Sequence, residues 1–232
     1  MKKVFAKLKK IALVKNNKQS VPADYIYERP LEYSFTLLSL ASNRVKTVMD
    51  VGSGKSAFPA LLQNCGFEVT AIDKVDDYWG SKRVSLNKYF HVINDDIVNL
   101  CRDYGVFDAI TCISVLEHIT DFSKALKTMT FLVKEGGIVI LTFPWASDGY
   151  IPNVYDLPES DIMSKKFQYI AQSFDDECLR KWKKTLPIEE IERKYIRAWE
   201  GKYWRCGKRI HYPYYVDDEK KANALCITFK KI

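Results

Sequence analysis

The chain has 232 residues, of which 47% are hydrophobic and 13% aromatic, so its composition is that of a folded protein and excludes a disordered one. Its net charge of +7 comes from seven lysines in residues 1–20, a stretch without acidic residues; without them, 29 of the 36 basic residues remain, equal to the 29 acidic ones. This neutral body argues against a broad nucleic-acid-binding surface. Six scattered cysteines without a C-x-x-C pair argue against a disulfide framework or a zinc site.

The lysine-rich arm, residues 1–20, has apolar residues at helical spacing, with lysines over most of the remaining circumference: Val4, Phe5, Leu8, Ile11 and Ala12. Two interpretations stay open, a solvated terminal helix or a helix lying on an anionic membrane surface. Its lysines are not typical of a signal peptide, and no apolar run of the chain approaches the roughly 20 residues of a membrane span. We therefore expect a cytoplasmic protein, with the arm as its only candidate for peripheral membrane contact.

A helix is predicted next, because Pro30 suits a first helical turn and Ser42-Asn43 suits a helix end. Tyr27 and Arg29 lie where this helix starts. Its apolar residues recur on one face, which we expect to be buried: Leu31, Phe35, Leu38 and, beside them, Leu37.

The segment from Val45 to Asp73 organises the rest of the chain. Its pattern predicts a buried strand over residues 45–51, a turn at Gly52-Ser53-Gly54, a helix over residues 57–64 and a second strand that ends at Asp73. Apolar strands that alternate with helices are typical of parallel sheets covered on both faces. Glycines at such a turn allow a ligand to approach the backbone closely, so this is a predicted nucleoside-cofactor site.

Asp50 indicates which cofactor binds there. The spacing Gly52-x-Gly54-x-x-Ala57 also fits a dinucleotide-binding turn, but an anionic pyrophosphate is better served by an apolar strand tip. A carboxylate suits a ligand that is cationic or donates hydrogen bonds, and S-adenosylmethionine carries a sulfonium and an ammonium group. This segment resembles the first motif of the class I S-adenosylmethionine-dependent methyltransferases, which is an acidic residue, a spacer and Gly-x-Gly, with Ser56 here in place of the usual third glycine.

The resemblance continues to about residue 145. A short strand precedes Asp95-Asp96, and a fourth strand over residues 107–114 runs into the sequence S-V-L-E-H-I. A helix over residues 121–132 and the turn L-V-K-E-G-G lead into the fifth strand, and neither sequence belongs to a dehydrogenase signature. The resemblance implies an α/β fold with a doubly wound, mostly parallel seven-stranded sheet and helices on both faces.

The resemblance also implies the cofactor site. Asp50, Gly52, Ser53 and Gly54 would form the turn around S-adenosylmethionine, and Asp73 would hold its ribose. Asp96 would accept from the adenine amine beside the Ile97 backbone, whereas Asp95 is a weaker candidate because a strand-end Asp is often a helix cap. The set of cofactor-binding candidates is completed by Ser114 and by Arg29. Arg29 could reach the cofactor carboxylate, and a surface arginine at a helix start is the open alternative.

Glu117 and His118 are the candidate catalytic residues, because the segment after the fourth strand faces the transferable methyl group in the family that this chain resembles. A hydroxyl acceptor needs a base, and His118 is the better base by its intrinsic pKa. A purely structural role for His118 stays open. The two residues are adjacent and lack the i, i+4 spacing of a helical metal site, so we infer no metal.

After residue 145 the pattern weakens. A loop over residues 145–163 is predicted as an acceptor-side lid, and a helix over residues 174–184 as one capped by Ser173. The pattern of residues 188–199 fits either a helix or a strand, and the family pattern makes at least the second half a sixth strand. Residues 223–229 alternate and predict a final strand, antiparallel to the sixth. We expect the aromatic and basic connection between them to be an exposed loop; binding of a sugar, a phosphate or nucleic acid is the alternative.

The sequence thus predicts a basic arm over residues 1–20 and one methyltransferase domain over residues 21–232, with its cofactor half in residues 45–145 and its acceptor-side half in residues 146–232. The predicted function is methyl transfer from S-adenosylmethionine to oxygen or nitrogen of a small molecule or glycan, with a lipid-linked acceptor as one variant. The last segment resembles methyltransferases of surface-polysaccharide pathways. An RNA methyltransferase, a non-catalytic cofactor-binding partner subunit and, last, a nicotinamide-dependent oxidoreductase are the alternatives.

Overall fold

One eight-stranded sheet runs through the computed structural model, which describes residues 27–75, 86–161 and 169–232. Five neighbouring strands pair in parallel in the order β3-β2-β1-β4-β5, and antiparallel pairing continues the sheet as β5-β8-β6-β7. The strands are β1 Thr47–Val51, β2 Glu68–Asp73, β3 Val92–Asn94, β4 Phe107–Ile113, β5 Val133–Pro144, β6 Ile188–Trp199, β7 Arg209–Val216 and β8 Ala224–Lys231.

Helices cover both faces of this sheet. They are α1 Arg29–Ser42, α2 Phe58–Asn64, α3 Phe122–Leu132 and α4 Asp176–Thr185. Residues of α1 and α2 form one apolar core with strand residues such as Val48, whereas residues of α3 and α4 form the other with alternate strand residues such as Met49. This alternation is the physical reason why the strands are apolar throughout, and it confirms the predicted doubly wound α/β class.

The direction in which the strands are added reverses between β1 and its neighbour β4. From β1 the chain proceeds outward through β2 to β3, and then crosses back to β4 on the other side of β1. Ligands of open α/β sheets bind outside the carboxyl ends of the strands at such a reversal. The fold therefore brings the turn after β1 and the segment after β4 to the same edge.

The sheet has eight strands and not the predicted seven, because the connection expected to be an exposed loop contains β7. Residues of β7 pair antiparallel with the second half of β6, for example Tyr214 with Arg197. The ambiguous residues 188–199 form a single strand, β6, which pairs antiparallel with β8 as predicted for the final strand. The last helix is capped by the Asp175 side chain, which accepts from the Cys178 amide, so the predicted Ser173 cap is wrong.

Helix α1 ends at Ser42 as predicted. Of its predicted apolar face, Phe35 is buried while Leu31 and Leu37 pack against the core, but Leu38 does not belong to it. Leu38 is 65% exposed, whereas the polar residues Glu32, Thr36 and Ser39 are buried. The hydroxyl groups of Thr36 and Ser39 have hydrogen-bond partners. The Thr36 hydroxyl donates to the Glu32 carbonyl oxygen at 2.8 Å, and the Ser39 hydroxyl lies 2.9 Å from the Thr228 hydroxyl of β8. Satisfied polar groups can be buried at small cost, and apolar spacing alone does not detect such a face.

The basic arm, residues 1–20, lies outside the described residues, so its helix and its membrane contact stay predictions. Strands from the cofactor half and from the acceptor-side half belong to the same sheet. The domain boundaries themselves stay a prediction. No helix of the described residues is long and apolar enough to cross a bilayer.

Candidate active site

A cleft of about 680 Å³ lies at the carboxyl ends of β1, β2 and β4, and its size is within the range of ligand pockets. All eleven predicted site residues line it. From the cofactor candidates these are Asp50, Gly52, Ser53, Gly54, Asp73, Asp96, Ile97, Ser114 and Arg29, and from the catalytic candidates Glu117 and His118. The fold thus brings together residues that are spread over 90 positions of the sequence.

The turn after β1 depends on its glycines. Gly52 and Gly54 have φ of +76° and +51°, a region in which a side chain is strained. A Cβ atom on Gly52 would lie 2.4 Å from side-chain atoms of Val115, in the segment after β4. Only glycine therefore allows this turn to pack against the segment that carries Glu117 and His118.

Asp73 closes the turn from the tip of β2. Its Oδ2 accepts from the Gly54 amide at 2.5 Å, and burial raises the pKa of its carboxyl group. Asn87, which the sequence analysis missed, donates from Nδ2 to the carbonyl oxygens of Gly54 and Ser56 at 3.0 and 2.8 Å. These contacts hold the turn from two sides.

Asp50 is buried and 4% exposed, and both of its carboxylate oxygens are engaged. Oδ2 accepts from the Ser53 hydroxyl at 2.6 Å, and Oδ1 accepts from the Thr111 hydroxyl of β4 at 2.7 Å. Burial raises the pKa of Asp50 to about 6, while these two hydrogen bonds oppose the shift. In the described structure Asp50 therefore links the turn to β4, and its contact with a cationic cofactor group stays a prediction.

The two aspartates after β3 make different contacts, and the predicted role of Asp96 at the adenine stays a prediction. Asp95 is a structural cap: its Oδ1 accepts from the amides of Asp96 and Cys101, and its Oδ2 from the Tyr104 hydroxyl. Asp96 is half-buried, accepts from the Val98 amide at 2.8 Å and has Oδ2 3.5 Å from Lys74 Nζ. Both line the cleft, together with buried Ile97.

Glu32 of α1 is a site residue that the sequence analysis missed. It is 1% exposed, and its Oε1 accepts from the hydroxyl groups of Ser114 and Thr142 at 2.7 and 2.8 Å. Its Oε2 forms a 2.6 Å ion pair with Arg29 Nη1. Glu32 thus fixes Arg29 and Ser114 relative to each other. The i, i+3 spacing of Arg29 and Glu32 at a helix start was the signal in the sequence.

Glu117 and His118 lie in a short 3₁₀ helix directly after β4. Glu117 is fully buried, its two carboxyl oxygens have no hydrogen-bond partner among the described residues, and burial raises its pKa to about 8. His118 Nδ1 lies 2.8 Å from the Ile170 carbonyl oxygen, and its Nε2 lies 3.8 Å from Glu117 Oε1. Burial lowers the pKa of His118. A carbonyl oxygen only accepts, so Nδ1 carries the proton and Nε2 presents a lone pair.

Five further residues line the cleft and are called here the acceptor wall: Tyr27, Tyr169, Trp204, Arg205 and Arg209. Three of these residues, Trp204, Arg205 and Arg209, come from the connection between β6 and β8. The prediction that this connection is an exposed loop is therefore wrong. By contrast, no described residue of the predicted lid, residues 145–163, lines the cleft. The excess of aromatic and basic residues was the available signal, but their position depends on the pairing of β7 with β6, which the sequence did not predict.

The chain was compared with known proteins. A family model described as a methyltransferase domain matches residues 25–213, which is most of the chain. The chain belongs to this family. Its predicted membership of the class I S-adenosylmethionine-dependent methyltransferases is thereby confirmed, and with it S-adenosylmethionine as the cofactor of the family.

Curated relatives of this methyltransferase-domain chain include two bacterial proteins named ubiquinone biosynthesis O-methyltransferase. That of Xanthomonas euvesicatoria pv. vesicatoria is 34% identical over 118 residues, 48% of this chain and 47% of the relative. That of Alkalilimnicola ehrlichii is 28% identical over 123 residues, 49% of this chain and 47% of the relative. The chain thus spans about half the length of the curated relatives it matches.

Solved structures of methyltransferases share the fold. The N-methyltransferase NodS of Bradyrhizobium japonicum in complex with S-adenosyl-L-homocysteine is 17% identical, with a TM-score of 0.53 over 90% of this chain and 89% of that one. The 1,6-didemethyltoxoflavin-N1-methyltransferase of Burkholderia thailandensis is 14% identical, with a TM-score of 0.57 over 98% and 88% of the two chains. At such identities the likeness concerns the fold alone.

The residues of the cleft fit S-adenosylmethionine. The turn at Gly52 has no room for a side chain and lines the cleft with backbone alone, and Asp73 presents a carboxylate at its edge. Arg29, which also lines the cleft, adds a cation that could pair with a carboxylate of the cofactor. Within the described residues there is no group of three or more His, Cys, Asp and Glu side chains that could hold a metal ion.

Proposed function

We propose that this chain transfers a methyl group from S-adenosylmethionine to a hydroxyl oxygen of a small molecule. One observation carries the choice of oxygen: His118 presents an unprotonated Nε2 in the wall of the cofactor cleft, with the Glu117 carboxyl group 3.8 Å away. A hydroxyl nucleophile needs such a base, whereas a neutral amine attacks with its own lone pair. The names of the curated relatives, both O-methyltransferases, support the same choice.

The chain's own residues would hold the cofactor at its two ends. Asp73 would accept from the ribose hydroxyl groups, and Asp96 with the Ile97 backbone would hold the adenine. At the other end Arg29, oriented by Glu32, would pair with the carboxylate of the amino-acid part. When bound, S-adenosylmethionine supplies an electrophilic methyl group on a sulfonium sulfur, so the protein contributes alignment and the removal of a proton.

His118 would take the proton of the acceptor hydroxyl at Nε2. The hydrogen bond from Nδ1 to the Ile170 carbonyl fixes the ring orientation and favours the imidazolium that forms. Glu117 is protonated at neutral pH because its pKa lies near 8. It therefore already carries its proton and does not act as the base there. Its carboxyl group can instead form a hydrogen bond with the methyl-accepting substrate or with His118.

Gln172 would help to keep water from this pair. The side-chain amide of Gln172 donates to the carbonyl oxygens of Glu117 and Ile119, at 3.3 and 2.9 Å. The backbone amide of Gln172 also donates to the Glu117 carbonyl oxygen, at 3.0 Å. These bonds hold the segment that carries Ile170 against the segment after β4. The candidate base is thereby 17% exposed, and a dry site strengthens its interactions.

A lipid-linked acceptor is a finer form of this proposal, and the lysines of residues 1–20 support it. A basic segment next to apolar residues is attracted to anionic lipid, which would bring the enzyme to a membrane-bound substrate. A glycan acceptor rests on the resemblance of the last segment alone. An RNA acceptor is disfavoured by the equal numbers of basic and acidic residues outside the arm.

Titration calorimetry tests the cofactor part of the proposal. We expect the protein to bind S-adenosylmethionine and S-adenosylhomocysteine and not NAD. Binding of NAD without binding of either sulfur compound would contradict it.

The base is tested by methyl transfer from labelled S-adenosylmethionine to a set of small phenols, catechols and lipid-linked hydroxyl compounds. With any acceptor that is methylated, His118→Ala should lower the turnover rate by ~100-fold or more and leave the affinity for the cofactor unchanged. His91→Ala is the matched control, because His91 is exposed and does not line the cleft. An unchanged turnover rate in His118→Ala would assign His118 to structure.

A further inference from the structure

Arg205 is the residue of the acceptor wall whose function the proposed reaction leaves unexplained. It follows β6, lines the cleft and is held in a fixed position. Its Nε and Nη2 donate to the two carboxylate oxygens of Asp161 at 2.9 and 3.1 Å. Its guanidinium carbon lies 5.5 Å from the ring centre of Trp199 and 5.4 Å from that of Trp204. A guanidinium group fixed in this way loses little entropy when it binds a ligand.

The backbone conformation of Arg205 also indicates that its side chain is held in place for a purpose other than folding. Its φ is +59°, in the left-handed region that a residue with a side chain occupies at a cost of about 1 kcal/mol or more. Strained conformations of this kind concentrate at ligand sites. A backbone hydrogen bond across the chain supports this conformation, because the Asp161 amide donates to the Arg205 carbonyl oxygen at 2.8 Å.

One edge of the Arg205 guanidinium remains for a ligand. Asp161 occupies the Nε and Nη2 edge, and Nη1 has no hydrogen-bond partner among the described residues. The side chain is 22% exposed, on the side of the cleft. The nearby Arg209 adds a donor that is buried, its Nε, which has no partner within the described ranges. Buried donors without a partner are uncommon in native proteins and indicate a missing ligand.

Arg205 and the candidate base His118 line the same cleft. The positive charge of Arg205 adds to burial in lowering the pKa of His118. Tyr169, another residue of the acceptor wall, packs edge-on against His118 at a centroid distance of 5.7 Å. Arg205, His118 and an aromatic surface therefore border one part of the cleft.

We propose that the acceptor is an anion, and that Arg205 binds its carboxylate or phosphate group while its hydroxyl group lies at His118. The guanidinium plane matches such oxyanions, and hydrogen bonds to charged groups are the stronger ones. The aromatic residues of the acceptor wall would pack on the apolar part of the same molecule. This inference rests on the proposed function, because it names the chemical class of the acceptor in the same site.

The test uses three small probes of similar shape: benzoate, phenyl phosphate and the uncharged benzyl alcohol. Each is titrated into protein saturated with S-adenosylhomocysteine, and binding is followed by tryptophan fluorescence. The wild-type protein should bind at least one of the two anions ~10-fold or more tightly than benzyl alcohol, as expected for a charge-assisted contact. The benzoate and phenyl phosphate titrations distinguish a carboxylate site from a phosphate site.

Arg205→Ala should abolish the preference for the anion and leave the affinity for S-adenosylhomocysteine unchanged. Lys202→Ala is the matched control, because Lys202 lies in the same connection, pairs with Asp148 and does not line the cleft. It should keep the preference. Arg205→Lys keeps the charge without the planar fork, so it should bind the anion more weakly than wild type, and it replaces Arg205→Ala if that variant does not fold.

The inference is overturned if wild-type protein binds both anions no better than benzyl alcohol, or if Arg205→Ala retains the preference. Loss of the same factor in Arg205→Ala and Lys202→Ala would also overturn it, because a general effect of surface charge would then explain the binding. These outcomes leave the proposed function standing. The proposed function is tested separately, by calorimetry with S-adenosylmethionine and S-adenosylhomocysteine and by the turnover rate of His118→Ala.

Discussion

Glu117→Gln should make the protein more stable, and increasingly so as the pH rises. The Glu117 carboxyl group is fully buried, and burial raises its pKa from 4.5 to about 8. The unfolded chain ionises this group above pH 4.5, whereas the folded chain keeps the proton up to about pH 8. The stability that this group contributes is therefore fully present below pH 4.5 and is lost as the pH rises to 8.

One pKa unit corresponds to about 1.4 kcal/mol, so wild-type protein should lose about 3 kcal/mol between pH 5 and pH 8 relative to the glutamine variant. Urea unfolding of both proteins at the two pH values measures this difference. Glu159→Gln is the control, because Glu159 is exposed and its substitution should have the same small effect at both. An equal difference between wild type and Glu117→Gln at pH 5 and pH 8 would refute the reasoning, since Glu117 would then be ionised in the folded protein.

Three further predictions concern the cofactor and the arm. Asp73→Ala should weaken S-adenosylhomocysteine binding by ~1–3 kcal/mol in calorimetry, through loss of a charged hydrogen-bond partner; unchanged affinity would remove Asp73 from the site. Glu32→Gln should weaken S-adenosylhomocysteine by ~10-fold but leave 5′-methylthioadenosine, which lacks the amino-acid part, unaffected, because Arg29 loses its partner; equal losses would mean a structural role only. The intact chain should sediment with anionic liposomes at low salt and be released at high salt, whereas a chain starting at Val21 should stay in solution; equal sedimentation would make the arm a solvated tail.

The cofactor half could be predicted from the sequence because its signals are local. Strand, turn, helix and strand follow one another from Val45 to Asp73, and the residues at the strand ends meet automatically when the strands are parallel. Gly52 is a good example: a glycine in a predicted turn proved to be the position where Val115 leaves no room for a side chain.

The acceptor wall could not be predicted because it depends on pairing between distant segments. Trp204, Arg205 and Arg209 reach the cleft only because β7 pairs with β6, and β6 in turn with β8. Glu32 was missed for a related reason. Its partners Ser114 and Thr142 lie 82 and 110 residues away, and its i, i+3 spacing with Arg29 does not by itself distinguish it from an exposed glutamate.

The position of β7 at the end of the sheet has a consequence for how the two halves of the cleft open. Among the described residues β7 pairs on one side only, with an irregularity in register between Arg197 and Trp199, and none of its residues is buried. Segments with few buried groups open locally at low free energy, so amide hydrogens of β7 should exchange much faster than those of β1 and β4. Since Arg209 begins this strand, molecules that keep an intact cofactor half would transiently release part of the acceptor wall. Substrate entry and product release then need no hinged domain, only the fraying of an edge strand.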